Sequence, residues 1–338
     1  MKFHPLTLQW LDRMKAPDFW QHDGLLPILL KPISGLWAWR AARRIRTHSH
    51  VRSDVPVVCV GNVVAGGAGK TPVAISIGRR LVKAGRTPHF LSRGYGGAAG
   101  TPTRVDRDQH AASDVGDEPL LLSDIAPTWT GADRTATATM AVAAGADVLI
   151  MDDGFQNPLL HKSLSLLVFD GGYGIGNGHV MPAGPLREDF GAALGRADAV
   201  AVLGPDETGI RDLFPTDIPL LSARFVPTGN SGLVAGQSVI AFAGIGRPEK
   251  FYETLHGMGC EIVATKSFPD HHVFNVNEIM ELVEQAAEAD AVPVTTAKDA
   301  VRLPKDAKDM ILPLAVDLEW HDDVALDRLI ASVFEAEV

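Results

Sequence analysis

One stretch constrains this chain more than any other: Gly61-Asn62-Val63-Val64-Ala65-Gly66-Gly67-Ala68-Gly69-Lys70-Thr71. A short apolar, β-branched run, Val55 to Val60, leads into it, and a segment from Pro72 to Ala84 with apolar positions at helical spacing leaves it. Strand, glycine-rich loop and helix in that order form a phosphate loop: glycine frees backbone amides to face phosphate oxygens, Lys70 reaches the terminal phosphates, and the Thr71 hydroxyl suits Mg²⁺. Gly66, Gly67, Ala68 and Gly69 form the cradle. Val64 stands where the motif usually has its first glycine.

The alternation continues downstream. Strands are expected at His89 to Ser92, Asp147 to Met151, Leu164 to Phe169, Ala197 to Leu203 and Leu220 to Phe225, with a helix around Leu120 to Leu122. This pattern is that of an α/β fold of the P-loop NTPase kind, a doubly wound parallel sheet. At 338 residues the chain exceeds the usual size of a single core, and Pro227 to Gly236 is rich in turn residues. The division expected is a helical segment over 1–50, a nucleotide-binding domain over 51–226 and a smaller α/β domain over 227–338. The smaller domain has strands at Ser238 to Ala243, Glu261 to Thr265 and Val292 to Thr296, and helices at Pro248 to Met258 and Asn277 to Ala287. A last helix, Val324 to Glu335, fits against either domain.

A net charge of -10 argues against a general nucleic-acid binder, and two cysteines, Cys59 and Cys260, exclude a disulfide scaffold or multi-cysteine metal site. The charge is uneven. Residues 1–52 hold nine Lys or Arg against three Asp, and Trp10, Trp20, Trp37 and Trp39 cluster around the apolar run Leu25 to Leu30. Tryptophan beside apolar and basic residues suits a bilayer interface. Pro27, Lys31, Pro32 and Arg40 interrupt the run, so it is not expected to span a membrane. Packing against the protein itself is the other reading of this segment.

A magnesium-binding carboxylate belongs at the end of a later buried strand, and Asp152-Asp153 after Val148 to Met151 has that form, unless the pair caps a helix. Two stretches qualify to align or deprotonate a phosphoryl acceptor: Gly116-Asp117-Glu118-Pro119 and Phe268-Pro269-Asp270-His271-His272. Sequence alone does not pair them. Arg93 and Tyr95 suit an acceptor contact or a structural turn. Arg187 and Glu188 close a glycine-rich loop, Gly171 to Gly184, read here as a mobile cover. Thr295-Thr296-Ala297-Lys298-Asp299 resembles a guanine-reading Lys-x-Asp, but its spacing is better explained by a helix start.

Six motifs in order now resemble one family. Gly66 to Pro72, Ser92-Arg93-Gly94-Tyr95-Gly96, Gly116 to Pro119, Asp152-Asp153-Gly154-Phe155-Gln156, Pro182 to Glu188 and Phe268 to His272 are similar to those of tetraacyldisaccharide 4′-kinases, over nearly the whole chain. The resemblance implies ATP- and Mg²⁺-dependent phosphorylation of the 4′-hydroxyl of tetraacyldisaccharide 1-phosphate, giving lipid IVA. It implies work at the cytoplasmic face of an inner membrane, with a peripheral or monotopic attachment, a lipid acceptor and no obligate protein partner. Carried over, Lys70 and Thr71 bind phosphate and metal, Asp152 and Asp153 serve the metal site, and Asp117 is the base supported by His271. Arg93, Tyr95, Gln156, Arg187 and Glu188 are the acceptor-side candidates. The family usually has histidine after Gln156, where this chain has Asn157. A P-loop switch protein, or a kinase for a soluble substrate, are the competing classes; the first lacks a base-reading motif here, and the second leaves the N-terminus without a purpose.

Overall fold

The structure, a computed structural model, describes residues 17–48, 50–95, 97 and 101–335. Lys2, Trp10, Asp12, Arg13 and Lys15 of the basic N-terminal stretch lie outside these residues. The strands are β1 (Val57–Gly61), β2 (Pro88–Ser92), β3 (Thr103–Arg104), β4 (Thr128–Thr130), β5 (Val148–Asp152) and β6 (Leu164–Asp170). They continue with β7 (Ala199–Leu203), β8 (Leu220–Thr228), β9 (Ser238–Ala243), β10 (Glu261–Ser267), β11 (Val292–Thr296) and β12 (Leu312–Trp320). Strands β1, β2, β5, β6 and β7 are buried along their whole length. Parallel strands covered on both faces by helices must be apolar throughout, which is why they read as unbroken apolar runs.

Among the described residues the strands form one sheet in the order β10-β9-β11-β12-β8-β7-β6-β1-β5-β2-β4-β3. Every pairing is parallel except β8 with β12 and β3 with β4. The chain leaves β1 for β2, returns to β5 beside β1, and crosses to β6 on the other flank. Strand order therefore reverses at β1, and the crevice above such a reversal is where open α/β sheets bind ligands. Residues before and after 227 share this sheet through the antiparallel pairing of β8 with β12, from Ala223↔Trp320 to Thr228↔Ala315. Strand β12 carries no clean period-two pattern in its burial.

Helix Lys70–Lys83 covers one face of β1, and the last helix, Asp323–Glu335, packs beside it: Leu326, Ile330 and Val333 join Val73, Ile77 and Leu81 in one apolar core. Arg80 bonds Asp327 at 2.7 Å and also pairs with Asp323, tying the two helices together. The last helix thus packs on the N-terminal part of the sheet. The opposite face is covered by helix Arg134–Ala143, through Ala138 and Ala141, and by helix Phe190–Leu194.

Residues Leu25–Thr47 form one 23-residue helix. Pro27 lies in its first turn, where no intrahelical N–H bond is lost, and the helix continues through Pro32. No helix among the described residues is long and apolar enough to cross a membrane. One side of this helix is bare: Leu25, Leu29 and Leu36 are 82%, 73% and 60% exposed, with Ile28, Ile33 and Trp39 also open. The tryptophans divide. Trp20 is buried and donates from Nε1 to the Pro182 carbonyl at 3.0 Å, and Trp37 donates to the Arg187 carbonyl at 3.2 Å, so these two face the protein and only Trp39, of those described, is exposed.

Candidate active site

Strand β1 ends at Gly61, where nothing larger fits: a Cβ there would lie 2.4 Å from the Phe155 Cβ. Val64 is extended, forms an antiparallel bridge with Leu186 and is buried, so this position of the loop does not call for glycine. The flexible residues come later. Gly66 and Gly69 have φ of 111° and 84°, in the region glycine favours, and Gly69 caps the helix that starts at Lys70. Amides at that helix end are unsatisfied within the helix and carry its positive dipole, which suits phosphate.

Lys70 and Thr71 each meet one acid from the end of β5. The Thr71 hydroxyl donates to Asp152 Oδ2 at 2.9 Å, and Lys70 Nζ lies 3.7 Å from Asp153 Oδ1. Asp152 is buried and its Oδ1 has no hydrogen-bond partner. Burial, with the charge of Glu118 next, pushes its pKa up to about 7. Asp153 takes a left-handed backbone (φ 54°) just past the strand, and Arg187 donates to both its oxygens at 3.1 and 3.2 Å. Burial works against ionisation of Asp153, but Arg187, Lys70 and Arg134 outweigh it and hold the carboxyl well below the usual range. Arg134 is itself buried, donating to the Ser92 carbonyl at 2.6 Å and to that of Gly131; burial, then Arg93, pushes it down to about 10.

Asp117 opens the short helix Asp117–Leu122 and is 3% exposed. Its Oδ2 lies 2.9 Å from His271 Nδ1, 3.5 Å from Arg302 Nε and 3.9 Å from Lys298 Nζ, while Oδ1 accepts from the Glu118 amide at 2.9 Å. Burial alone would raise its pKa, but Lys298, the bond and charge of His271, and Arg302 together hold it well below the carboxylate range. The cations around it thus favour the ionised form of Asp117 over the protonated one. His271 follows β10 in a left-handed turn (φ 59°), and its ring stands 5.4 Å from that of Tyr95. Of the two adjacent histidines, His271 alone meets Asp117; His272 bonds Glu278 at 3.0 Å and stacks on Phe268.

The remaining candidates divide by partner. Arg93 is exposed at the C-terminal end of β2. The Gln156 amide donates to the Asn62 carbonyl at 2.8 Å and to Glu188 at 3.2 Å, and buried Glu188 also pairs with Arg196. Asn157 accepts from the Leu159 amide at 2.9 Å, closing a turn. The 171–184 loop, expected to be a mobile cover, is instead braced: Asn177 bonds the Phe19 and Ala183 carbonyls, and residues 185 and 187 exchange backbone bonds with Ala65 and Val63 of the phosphate loop. Its glycines permit close packing, not freedom; a Cβ on Gly184 would lie 2.1 Å from Asn177 Oδ1.

Sequence reasoning missed Arg134, Arg302, Arg247 and Asp170, and weighed Lys298 only as a base reader. Arg247 pairs with Asp170 at 2.8 Å and donates to the Gly67 carbonyl at 3.1 Å, joining the segment after β9 to the phosphate loop. Asp299 is fully buried against Arg302 (2.6 Å), the Gly244 amide (3.0 Å) and Thr296 (2.6 Å), so its carboxylate has no face left for a guanine base. Among the described residues no group of three or more His, Cys, Asp or Glu is placed to hold a metal alone. Magnesium does not require one: one or two carboxylates, a hydroxyl and substrate phosphates suffice. The orphaned Asp152 Oδ1 beside Thr71 fits such an ion.

A phosphate loop at the strand-order reversal, with a pair of strand-end acids below it and an aspartate–histidine pair alongside, defines a P-loop phosphotransferase. The comparisons make the assignment particular. The family model described as tetraacyldisaccharide-1-P 4′-kinase matches residues 26–335, and the chain belongs to that family. A tetraacyldisaccharide 4′-kinase of Paramagnetospirillum magneticum is 49% identical over 308 residues, 91% of this chain and 95% of that protein. One from Rhodospirillum centenum is 48% identical over 330 residues, 96% and 98% of the two chains. Among solved structures, the "apo" form of LpxK from Aquifex aeolicus in complex with ATP superposes with a TM-score of 0.74 at 26% identity, covering 92% of this chain and all of that one.

Proposed function

We propose that this chain transfers the γ-phosphoryl group of ATP to the 4′-hydroxyl of a tetraacyldisaccharide 1-phosphate, working from the surface of an inner membrane on its cytoplasmic side. The observation that carries the reading is the Asp117–His271 pair, 2.9 Å apart, brought alongside a phosphate loop whose Thr71 is bonded to Asp152. Residues 51–226 supply the nucleotide side, and residues 227–338 supply His271 to complete the acceptor side.

Gly66, Gly67, Ala68 and Gly69 turn backbone amides to the phosphates, and Lys70 moves from Asp153 to the γ-phosphate oxygens. Thr71 and Asp152, with Asp153 close by, would hold Mg²⁺, which supplies charge neutralisation on the phosphates when bound. Asp117, its carboxylate favoured by the surrounding cations, accepts a hydrogen bond from the acceptor hydroxyl. As the hydroxyl oxygen bonds to the γ phosphorus and the bond to the ADP oxygen breaks, the hydroxyl proton passes to Asp117. A loose transition state needs little basicity, so a carboxylate of low pKa suffices, and positioning and charge supply most of the acceleration. Arg93 and Tyr95 face the acceptor, while Gln156, Arg187 and Glu188 shape the loop that receives it.

The bare face of helix Leu25–Thr47 and its basic residues, among them Arg40, Arg43 and Arg44, seat the enzyme on an anionic leaflet. Each such charge contributes roughly 1 kcal/mol near the surface, so apolar insertion must supply the rest. The test is transfer of ³²P from γ-labelled ATP to tetraacyldisaccharide 1-phosphate in detergent micelles, wild type against Lys70→Ala. Lys70-dependent labelling of the lipid is the expected result; no labelling by folded, ATP-binding protein overturns the acceptor assignment.

A further inference from the structure

A cavity of about 190 Å³ opens where the last turn of helix Leu25–Thr47 meets the 155–165 segment and the turn before β7. Ile45 and Phe155 give it apolar walls, and its charged lining is basic: His50, His161, Lys162 and Arg196, with no carboxylate. Sites for whole small molecules begin at roughly 300 Å³, so this one suits a single small anionic group rather than a nucleotide. Lys162 donates to the Phe155 carbonyl at 3.1 Å and to the Asn157 carbonyl at 2.7 Å, which commits two of an ammonium's three protons. Arg196 lies over the Phe155 ring, 4.4 Å from its centre, and pairs with Glu188. Burial lowers the Lys162 pKa and Arg196 adds to the fall; burial lowers that of His161 too, with Arg52, His50 and Lys162 adding. The carboxylates that act on these two groups are engaged elsewhere, Glu188 by Arg196 and Asp198 by the Ser165 amide at 2.7 Å.

We infer that this cavity binds the phosphate of a membrane lipid headgroup, with Lys162 and Arg196 as cations and the rings of His50 and His161 as further donors. The inference rests on the reading of helix Leu25–Thr47 as the seat on a leaflet, and adds to that seat a built receptor for one lipid. The helix sets the level. Trp39 is exposed, as suits headgroup depth, and precedes Ile45 by six residues, about 9 Å along the axis. A headgroup layer is roughly 5–7 Å deep, so with the bare stretch from Leu25 to Leu36 at the acyl boundary the cavity stands near the phosphates. Arg43, Arg44 and Arg46, exposed on the same turns, draw anionic lipid to this end of the helix. The cavity differs from them in that its donors are fixed: Lys162 is anchored by two carbonyls, and Arg196 by a ring and a carboxylate, so little side-chain freedom is lost on binding. Like charges held together there repel one another, and a phosphate oxygen among them relieves that repulsion.

The test is calorimetric titration of the full-length protein, its phosphate loop first filled with a non-hydrolysable ATP analogue and Mg²⁺. The probes are inorganic phosphate and dihexanoyl phosphatidylglycerol, the latter kept below its micelle concentration. The expected result is one site that takes the lipid more tightly than phosphate, with affinity falling about tenfold or more in Lys162→Met and in His161→Glu. His161→Glu should also weaken sedimentation with mixed phosphatidylglycerol–phosphatidylcholine vesicles, while the KM for acceptor in detergent micelles stays as in wild type. Binding of neither probe by wild type, or equal binding by wild type and both variants, overturns the inference. Phosphate bound without the lipid assigns the cavity to a free ion, and a raised acceptor KM in His161→Glu assigns it to the acceptor's own phosphate; either result overturns the headgroup assignment. Affinity for the ATP analogue shows that each variant is folded; should Lys162→Met fail there, His161→Glu, at a partly exposed ring, decides. Leu25→Glu with Leu29→Glu separates the two readings: lost sedimentation with lipid binding retained keeps both, whereas sedimentation retained by that variant rejects only the helix as the seat.

Discussion

Replacing Asp152 with asparagine separates what this carboxylate does in catalysis from what it costs the resting protein. Its pKa stands at about 7 in the folded chain against a reference of 3.8, about three units, each worth about 1.4 kcal/mol. Between those two values the folded state holds a proton that the unfolded state has released. Stability contributed by this group therefore falls as pH rises through that window, and the deficit levels off above about pH 7 at an upper bound on the order of 4 kcal/mol. Asparagine keeps the volume and the acceptor for Thr71 but has no charge to bury. Denaturant unfolding of both proteins, in chelator and without nucleotide, should show the variant gaining about 3 kcal/mol over wild type between pH 5 and pH 8. Titrating groups remote from Asp152 cancel in the difference, and the slope is read for Asp152 together with the acids coupled to it. Added Mg²⁺ and ATP should narrow the gap by stabilising wild type, while the variant loses at least about 10²-fold in turnover. A stability difference that stays flat from pH 5 to pH 8 refutes the argument that Asp152 is raised by burial.

Asp117→Asn should lower kcat by about 10²-fold or more with little change in the KM for ATP, measured by γ-phosphoryl transfer; near-normal kcat removes Asp117 as the proton acceptor. Gly61→Ala drives a methyl against the Phe155 Cβ, 2.4 Å away, and should cost about 2 kcal/mol or more in denaturant unfolding; an unchanged midpoint means that β1 and the 153–156 turn part freely. Leu25→Glu combined with Leu29→Glu should abolish sedimentation with anionic vesicles while leaving ATP binding intact, and retained sedimentation would place the membrane contact elsewhere.

What was legible in the sequence was what local pattern and spacing encode. The phosphate loop, the acids after β5 and the buried parallel strands are each written in one continuous segment, and the structure places them where those segments indicate. Strand β12 was not legible, because its side chains alternate irregularly between core and solvent. Nor did the sequence show that Trp20 and Trp37 turn inward, since composition reports what a segment contains and not which side of it finds carbonyls at Pro182 and Arg187. The 171–184 loop was misread for a similar reason: glycine signals close approach as readily as freedom, and only the neighbours distinguish the two. Lys298 and Arg302 gain their roles from contacts with a carboxylate more than 180 positions earlier, which no local pattern records.

The hydrogen bond from Trp37 to the Arg187 carbonyl has a geometric consequence. Arg187 grips Asp153, and Asp153 stands beside Lys70, so a short relay of contacts links the helix bearing the bare apolar face to the phosphate loop. If that face rests on lipid, the relay works as a depth gauge, setting the height of the reacting phosphorus above the acyl chains. Selectivity would then be partly a matter of reach: an anchored sugar one ring shorter or longer would present its hydroxyl at the wrong altitude, however well its own atoms fitted the cleft.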